Sequence, residues 1–246
     1  MTSRKTMLLT GASRGIGHAT VKHFSAAGWQ VLTVSRQPFD DNCPWPEGRA
    51  NHIQLDLGDI DSIDGGIAEI KSRLHGRTLD AIVNNAGISP KRKPDGGRMG
   101  VLASDVHVWS QVFNVNLFAT ALLARGLFEE LRAATGFVVN VTSIAGSRVH
   151  PFAGSAYAAS KAALAALTRE MAHEFGPYGI RVNAIAPGEI DTSILSPGTE
   201  DIVNNDIPMH RLGKPEEVAA TIYFLCTGGA AYINGAEIHI NGGQHA

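Results

Sequence analysis

The sequence predicts one α/β domain: a doubly wound parallel sheet of about seven strands with helices on both faces. Short apolar runs alternate with longer helical stretches along the chain, which is typical of a parallel sheet covered on both sides. No internal repeat divides the 246 residues, so we expect residues 1–246 to form a single domain. A chain of this length can bury a core without a disulfide or a metal ion.

The apolar runs are short enough for buried strands, and the longer stretches fit helices. We place strands at residues 6–10, 30–34, 51–56, 81–84, 136–141, 181–186 and 237–240. We place helices at residues 15–27, 60–74, 104–133, 156–175 and 215–226. Between the second and third strands, Pro38, Pro44 and Pro46 exclude a regular helix, so we expect an irregular loop over residues 37–50.

Charge and composition exclude several classes of partner. Lys and Arg total 21 against 23 Asp and Glu, a net charge of −2, which leaves no cationic face for nucleic acid. The two cysteines, Cys43 and Cys226, lie in no metal-ligand spacing, so we expect no metal site. The chain has no signal-like or membrane-spanning apolar run, which predicts a cytoplasmic protein without a membrane partner.

The first strand runs into a glycine-rich turn, TGASRGIG at residues 10–17, which opens the first helix. Glycines let the backbone approach a phosphate closely, and a helix N-terminus offers N–H donors and a positive dipole. The turn therefore predicts a site for a dinucleotide pyrophosphate. Taken alone, it is equally compatible with an ordinary strand-to-helix turn.

Other polar segments follow later strands. The run NNAG at residues 84–87 ends the fourth strand, Ser143 follows the fifth, and Pro187-Gly188 ends the sixth. Tyr157 and Lys161 are four residues apart, hence on one helical face. Such a pair by itself is usually a solvated surface. Because ligands of open parallel sheets bind at the carboxyl ends of the strands, these segments converge on one crevice and indicate an active site.

In combination these motifs resemble the short-chain dehydrogenase/reductase family, and the resemblance covers essentially the whole chain. It is carried by TGASRGIG at residues 10–17, NNAG at 84–87, NVNL at 114–117, Ser143, Tyr157 with Lys161, PGEIDT at 187–192, ING at 233–235 and NGG at 241–243. The resemblance implies a Rossmann-type fold and a catalytic tetrad. In that tetrad Tyr157 is the general acid/base and Ser143 holds the substrate oxygen. Lys161 assists, and Asn116 anchors a proton-relay water.

The resemblance also implies a nicotinamide dinucleotide site. Its expected residues are Gly11, Ser13, Arg14, Gly15, Ile16, Gly17, Ser35, Arg36, Asp56, Leu57, Asn84, Ala86, Gly87, Tyr157, Lys161, Pro187, Gly188, Ile190 and Thr192. Within this set, Asp56 should face adenine and Thr192 the nicotinamide carboxamide. A free phenol has a pKa of about 10. We expect the Lys161 ammonium and an oxidised nicotinamide to lower the pKa of Tyr157.

The end of the second strand indicates which dinucleotide is preferred. NAD-specific sites place an acid there to bind the ribose 2′-hydroxyl, whereas this chain has Ser35-Arg36. Arg14, just before Gly15, supplies a second guanidinium that can hold a phosphate in a bidentate fork. The missing acid and the two arginines together predict NADP (NADPH) as the cofactor.

Two segments depart from the family's usual pattern. The spacing from Ser143 to Tyr157 is slightly long, which makes Thr142 the nearest substitute for Ser143. Residues 89–100 form a longer loop than usual, with Lys91, Arg92, Lys93 and Arg98. We expect this loop to be a mobile surface segment. Its cations either are simply solvated or attract an anionic substrate.

The expected activity is hydride transfer between NADP(H) and a carbonyl or secondary alcohol carbon of a small molecule. A 3-oxoacyl thioester is the first candidate substrate, and a sugar acid, a polyol or a simple ketone are alternatives. The pocket should be built from residues 144–155, residues 189–209 and the loop after Gly87. Arg148, His150 and Glu189 are its polar candidates, or else ordinary loop residues.

Two other functions compete with this one. A catalytically silent dinucleotide-binding protein can use the same fold, and a methyltransferase also has a glycine-rich first turn. The methyltransferase hypothesis leaves the Tyr157–Lys161 helix unexplained. The resemblance further implies a homotetramer built on the helices at residues 104–133 and 156–175, with a dimer as the fallback.

Overall fold

The computed structural model describes residues 4–40, 43, 45, 47–92, 97–192 and 198–246. Its strands are β1 (Thr6–Thr10), β2 (Gln30–Ser35), β3 (His52–Gln54), β4 (Ala81–Asn84), β5 (Phe137–Val141), β6 (Arg181–Pro187) and β7 (Glu237–Ile240). They form one parallel sheet in the order β3-β2-β1-β4-β5-β6-β7. The predicted doubly wound sheet of seven strands is therefore confirmed.

Helices cover both faces of this sheet. They are α1 (Gly15–Ala26), α2 (Gly48–Asn51), α3 (Ile63–Leu74), α4 (Val106–Phe113), α5 (Ala119–Gly126), α6 (Phe128–Ala134), α7 (Ser155–Phe175), α8 (Thr199–Asn205) and α9 (Pro215–Leu225). A π-helical turn, Asn114–Phe118, joins α4 to α5. None of the helices within the described ranges is long and apolar enough to cross a membrane.

Successive residues of each strand point to opposite faces, which gives the sheet two cores. On one face, Met7 and Leu9 of β1 lie in a cluster with residues of α1 and α9, such as Phe24 and Ile222. On the other face, Leu8 lies in a cluster with residues of α3, α5 and α7. Burial on both faces explains why the strands are continuous apolar runs in the sequence rather than alternating ones.

The predicted single helix over residues 104–133 is wrong, because the segment is divided. Asp105 caps the start of α4 by accepting a hydrogen bond from the Val108 amide at 2.9 Å, so the helix begins at Val106. The π-helical turn then interrupts it, and Leu127 leaves helical geometry with φ −107° and ψ 15° between α5 and α6. The tertiary fold thus breaks a segment that local periodicity makes continuous.

Three further segments differ in extent from the predictions. The third strand is shorter than residues 51–56, because β3 pairs only with Thr33–Ser35 of β2. In the described part of the crossover before it, the first regular helix is the single turn of α2; residues 41, 42, 44 and 46, which include Pro44 and Pro46, lie outside the described residues. The short helix α8 was not predicted. It lies in the segment that follows β6 and belongs to the expected substrate pocket.

Candidate active site

The candidate site lies where the strand order reverses, between β1 and β4 at their carboxyl ends. The Thr10 hydroxyl accepts hydrogen bonds from the amides of Asn85 at 3.1 Å and Ala86 at 3.0 Å, which joins the ends of these two strands. The Gly11 amide donates to the Val34 carbonyl at 2.9 Å, so the glycine-rich turn also lies beside the end of β2. The turn therefore borders the crevice that the sequence predicts.

The glycines of the turn are required by its geometry. Gly11 and Gly15 have φ values of +70° and +53°, in the left-handed region that side chains disfavour. At Gly17, a Cβ atom would lie 2.1 Å from the Gly11 carbonyl oxygen. The helix α1 that follows has no side-chain cap and no acidic residue in its first turn. Its free amides and dipole fit the negative charge of a pyrophosphate.

The residues expected at the far end of the dinucleotide lie at the surface. Ser13, Arg14 and Arg36 are exposed, and the Ser35 hydroxyl donates to the Gln37 carbonyl at 2.9 Å. Within the described residues, neither arginine side chain makes a hydrogen bond or an ion pair. Both guanidinium groups are thus available to an anion.

Three expected cofactor residues have different surroundings. Asp56 is exposed, and its carboxylate accepts the Gly58 amide at 2.9 Å, whereas the side chain of Leu57 is buried in the core. Asn84 is also buried, and its side chain donates to Asn140 at 2.9 Å inside the sheet. Strand alternation turns the Asn84 side chain toward α7, on the face that Ile82 occupies, so a contact of Asn84 with the cofactor would have to come from its backbone.

Asn85 is not among the predicted site residues, yet its side chain contacts the glycine-rich turn. Its side-chain amide donates to the carbonyls of Thr10 at 3.1 Å and Gly11 at 2.8 Å. These bonds hold the glycine-rich turn against the end of β4. The repeated asparagine of NNAG was the signal for it, but which of the two enters the crevice depends on strand register.

The segment after β6 closes over the turn. Pro187 is the last residue of β6, and the Gly188 amide donates to the Ile240 carbonyl at 3.0 Å. Ile190 is buried. The Thr192 methyl carbon lies 3.0 Å from the position that a Cβ atom of Gly15 would occupy. Residues 187–192 therefore form the wall of the crevice opposite the glycine-rich turn.

Ser143, Tyr157 and Lys161 meet in this crevice. The side chains of Ser143 and Tyr157 are in hydrogen-bonding contact, and the Lys161 ammonium lies 5.7 Å from the centre of the Tyr157 ring. Lys161 is almost fully buried, and its Nζ donates to the Val141 carbonyl at 2.6 Å. The Thr142 hydroxyl instead bonds the Ile185 carbonyl at 2.7 Å inside the sheet. Ser143, not Thr142, is thus the hydroxyl that faces Tyr157.

Burial dominates the pKa values of this group. It lowers the pKa of Lys161 to about 8, since removal from water disfavours the ammonium. Burial also raises the pKa of Tyr157; the Ser143 hydrogen bond opposes this shift, and the negative charge of Glu189 adds to it. The expectation that Lys161 lowers the pKa of Tyr157 is therefore not met in the protein alone. The Lys161 ammonium donates its hydrogen bond to the Val141 carbonyl rather than to Tyr157. Desolvation of the phenol therefore has a larger effect on its pKa than the Ser143 hydrogen bond has.

Asn116 lies in the π-helical turn and clamps the chain after β4. Its amide nitrogen donates to the Ile88 carbonyl at 3.1 Å and to the Ser160 hydroxyl at 3.0 Å, while its oxygen accepts the Ile88 amide at 2.8 Å. Ser160 is a second residue that the sequence analysis missed. At Gly87, a Cβ atom would lie 3.3 Å from the Lys161 ammonium. A side chain there would require the Lys161 ammonium to shift slightly, whereas the contact with Asn116 at 3.5 Å would be an ordinary one.

The loop after Gly87 is not the free segment that was expected. Its ends pair as a hairpin, with a bridge between Lys91 and Arg98. The Lys91 ammonium donates to the Phe152 carbonyl at 2.5 Å, and Arg98 donates to the Ala153 carbonyl at 2.8 Å. Lys93 and residues 94–96 lie outside the described residues. At least two of the four cations therefore anchor the loop to residues 152–153.

The polar candidates of the expected pocket are also engaged. His150 Nε2 lies 2.5 Å from Glu189 Oε1, and Arg148 is hydrogen-bonded to the Gln244 carbonyl. Over the residues that the structure describes, no group of His, Cys, Asp and Glu side chains is arranged to hold a metal ion. Along one crevice lie a glycine-rich turn that fits a dinucleotide pyrophosphate, the side chains of Tyr157, Ser143 and Lys161, and a polar pocket.

Comparison with known proteins places this geometry in a family. The family model described as enoyl-(acyl carrier protein) reductase matches residues 11–245. Protein FixR of Bradyrhizobium diazoefficiens is 62% identical over 98% of this chain and 87% of that protein. The 3-oxoacyl-[acyl-carrier-protein] reductase FabG of Aquifex aeolicus is 34% identical over 98% of this chain and 97% of its own length.

A solved structure agrees with these relatives. It is an oxidoreductase of the short-chain dehydrogenase/reductase family from Brucella ovis, in complex with a partially ordered NAD. It is 61% identical, covers 97% of this chain and 100% of its own, and superimposes with a TM-score of 0.85. The chain described above therefore belongs to the short-chain dehydrogenase/reductase family of oxidoreductases.

Proposed function

We propose that the protein is an NADP(H)-dependent enzyme that transfers a hydride between nicotinamide and a carbonyl or secondary alcohol carbon. The juxtaposition of Ser143, Tyr157 and Lys161 beside the glycine-rich turn carries this proposal. The NAD held by the Brucella ovis relative supports a nicotinamide cofactor, and the FabG relative supports carbonyl reduction.

The residues of the crevice fit a dinucleotide. The uncapped amides of α1 would hold the pyrophosphate, and Thr192 and Lys161 would hold the nicotinamide end. Arg14 and Arg36 would bind the 2′-phosphate that distinguishes NADP from NAD, because both are exposed and Ser35 adds no negative charge. The nicotinamide, when bound, supplies or accepts the hydride.

The chain's own groups would handle the proton. Tyr157 would donate its phenolic proton to the carbonyl oxygen as the hydride arrives at the carbon, and the raised pKa of Tyr157 keeps that proton in place beforehand. Ser143 would donate a hydrogen bond to the same oxygen, where negative charge develops. Asn116 would act by positioning, since both of its amide hydrogens are used within the protein.

We further propose a homotetramer, with a dimer as the fallback, that works in the cytoplasm. Val106 on α4 and Phe118 on the π-helical turn are exposed, and they offer apolar surface for a second copy. The short alanines Ala162 and Ala166 on the exposed side of α7 allow close approach of another helix.

A 3-oxoacyl thioester is the first substrate to test, with a sugar acid, a polyol and a simple ketone as alternatives. The protein should oxidise NADPH in the presence of one of these carbonyl classes, followed by loss of the absorbance of the reduced nicotinamide. A protein that binds NADPH but turns over no carbonyl or alcohol would be a silent dinucleotide-binding protein, and the proposal would then be wrong.

A further inference from the structure

A glutamate beside Tyr157 has no part in the proposed proton transfer. Glu189 follows Gly188 at the end of β6, and its carbonyl accepts the Gly213 amide at 2.9 Å. The Asp191 amide donates back to the Gly213 carbonyl at 2.8 Å, so the backbone is held on both sides of Ile190. The Glu189 side chain is only 12% exposed, and its negative charge acts on the Tyr157 hydroxyl. Glu189 belongs to residues 187–192, which form one wall of the crevice, so its largely buried carboxylate borders the same pocket as Tyr157.

His150 fixes the direction of this carboxylate. The Phe152 amide donates to Nδ1 of His150 at 3.2 Å, and an amide can only donate, so Nδ1 carries no proton. The ring proton is therefore on Nε2, which lies 2.5 Å from Glu189 Oε1 and donates to it. Packing of His150 against Phe152 at a ring separation of 5.9 Å also restrains the imidazole. Oε1 of Glu189 thus has a hydrogen-bond donor. The restrained His150 ring holds the carboxylate in one orientation and so also fixes the position of Oε2.

The second oxygen is left for a ligand. Within the described ranges, Glu189 Oε2 has no hydrogen-bond partner. The Lys91 ammonium is near enough for its pKa to be raised by Glu189, but it donates to the Phe152 carbonyl and forms no ion pair with Glu189. The side chain is largely buried, so this oxygen requires a donor from the ligand once the ligand displaces water from it. The pocket therefore presents an acceptor with a compensating cation nearby.

We propose that Glu189 selects the substrate by accepting a hydrogen bond from a substrate hydroxyl group close to the reacting carbon. This inference rests on the proposed function, and among the substrate classes named there it favours the polyols and their neutral hydroxy-carbonyl oxidation products over a 3-oxoacyl thioester or a sugar acid. The hydroxyl would lie close to the reacting carbon because Glu189, on the crevice wall, is paired with His150, which belongs to the segment that begins at Ser143.

Other substrate classes fit this pocket less well. A substrate carboxylate would meet the Glu189 charge, and like charges brought together in a site are repelled. A substrate ammonium would compete with Lys91, which already lies in the field of Glu189. A hydroxyl group supplies the missing donor without adding charge. Repulsion by Glu189 also argues against the hypothesis that the cations of the loop after Gly87 attract an anionic substrate.

Three four-carbon ketones test the inference with NADPH and the intact enzyme. Acetoin has a hydroxyl beside the carbonyl, butanone lacks it, and acetoacetate has a carboxylate instead. We expect kcat/KM for acetoin to exceed that for butanone by at least about tenfold, the effect of one hydrogen bond to a charged group. Glu189→Gln should lower this ratio about tenfold and raise the relative activity toward acetoacetate. His150→Phe, which removes the donor to Oε1, should lower the same ratio.

The ratio of kcat/KM for acetoin to that for butanone distinguishes substrate selection by Glu189 from a purely structural role of this residue. A general loss of activity would affect all three ketones alike and leave the ratio unchanged. The matched control is Glu174→Gln, since Glu174 is exposed and lies 17 residues beyond Tyr157 on α7, roughly 26 Å away along the helix. Binding of the same ketones to the enzyme–NADP complex, measured by calorimetry, gives a readout that does not depend on turnover.

Each outcome decides the matter. Equal preference for acetoin and butanone, a ratio that Glu189→Gln leaves unchanged, or no detectable binding of any of the three would overturn the inference. Preferred binding of acetoin without hydride transfer would support Glu189 as the selecting group and count against the proposed function instead.

Discussion

The buried ammonium of Lys161 should make the protein less stable at neutral pH than it would be with an apolar residue there. Burial lowers the pKa of Lys161 from 10.5 to about 8. Each unit corresponds to about 1.4 kcal/mol, so the charged form costs roughly 3 kcal/mol at pH 7. Lys161→Met keeps a similar shape and removes this cost. Loss of the hydrogen bond to the Val141 carbonyl lowers the free energy of unfolding of the variant by roughly 1 kcal/mol, so its net gain in stability is about 2 kcal/mol.

The gain must depend on pH in a defined direction. The folded-state pKa lies below that of an unfolded lysine, so between about pH 8 and pH 10 the unfolded chain binds more protons. Stability of the wild-type protein therefore rises with pH across this window relative to Lys161→Met. The advantage of the variant should be largest below pH 8 and should disappear toward pH 10.

Urea unfolding of the two proteins without cofactor, at one fixed protomer concentration, measures this difference. Lys22→Met, at an exposed position of α1, is the control and should change stability by less than about 0.5 kcal/mol at every pH. A variant Lys161→Met that is less stable than wild type at pH 7, or a difference that does not change between pH 7 and pH 10, would refute the reasoning.

Other predictions concern activity and assembly. Tyr157→Phe should lower kcat at least ~10²-fold with little change in the Kd of the cofactor, because the ring remains and only the transferable proton is lost; near-normal turnover would contradict the mechanism. Ser35→Asp combined with Arg36→Ser should shift kcat/KM from NADP toward NAD, and a wild-type enzyme that uses NAD equally well would exclude the proposed preference. Gly17→Ala should abolish cofactor binding in a fluorescence titration, because the new Cβ would lie 2.1 Å from the Gly11 carbonyl oxygen; retained binding would show that the turn can move. Light scattering at micromolar concentration should give the mass of a tetramer, and the mass of a monomer would be incompatible with the proposed assembly.

Local sequence was sufficient for the elements whose pattern is set by burial on both faces. The strands β1 and β4 have the predicted bounds, because a parallel strand inside two helical layers is largely apolar. The edge strand β7 also has the predicted bounds, although it is half-buried and its polar and apolar residues alternate. The glycine-rich turn was also predictable, because positive φ values and close backbone approach tolerate little except glycine.

Other features depended on contacts that are distant in sequence. The apolar pattern continues through Leu127, where the helix breaks. Just before the break, a Cβ atom at Gly126 would lie 2.4 Å from Ile67 of α3, so this close approach of α5 to α3 requires glycine. The roles of Asn84 and Asn85 likewise depend on register: one residue along a strand reverses the face.

The sequence by itself determined the family, the doubly wound sheet and the motifs that border the crevice, because each depends on residue type at short spacing. Only the tertiary structure decided which side chains are free to act. It turned Thr142 into the sheet and Ser143 toward Tyr157, just after the fifth strand ends at Val141. It also paired His150 with Glu189, which are 39 residues apart, through loops that meet only because parallel strands end at one edge.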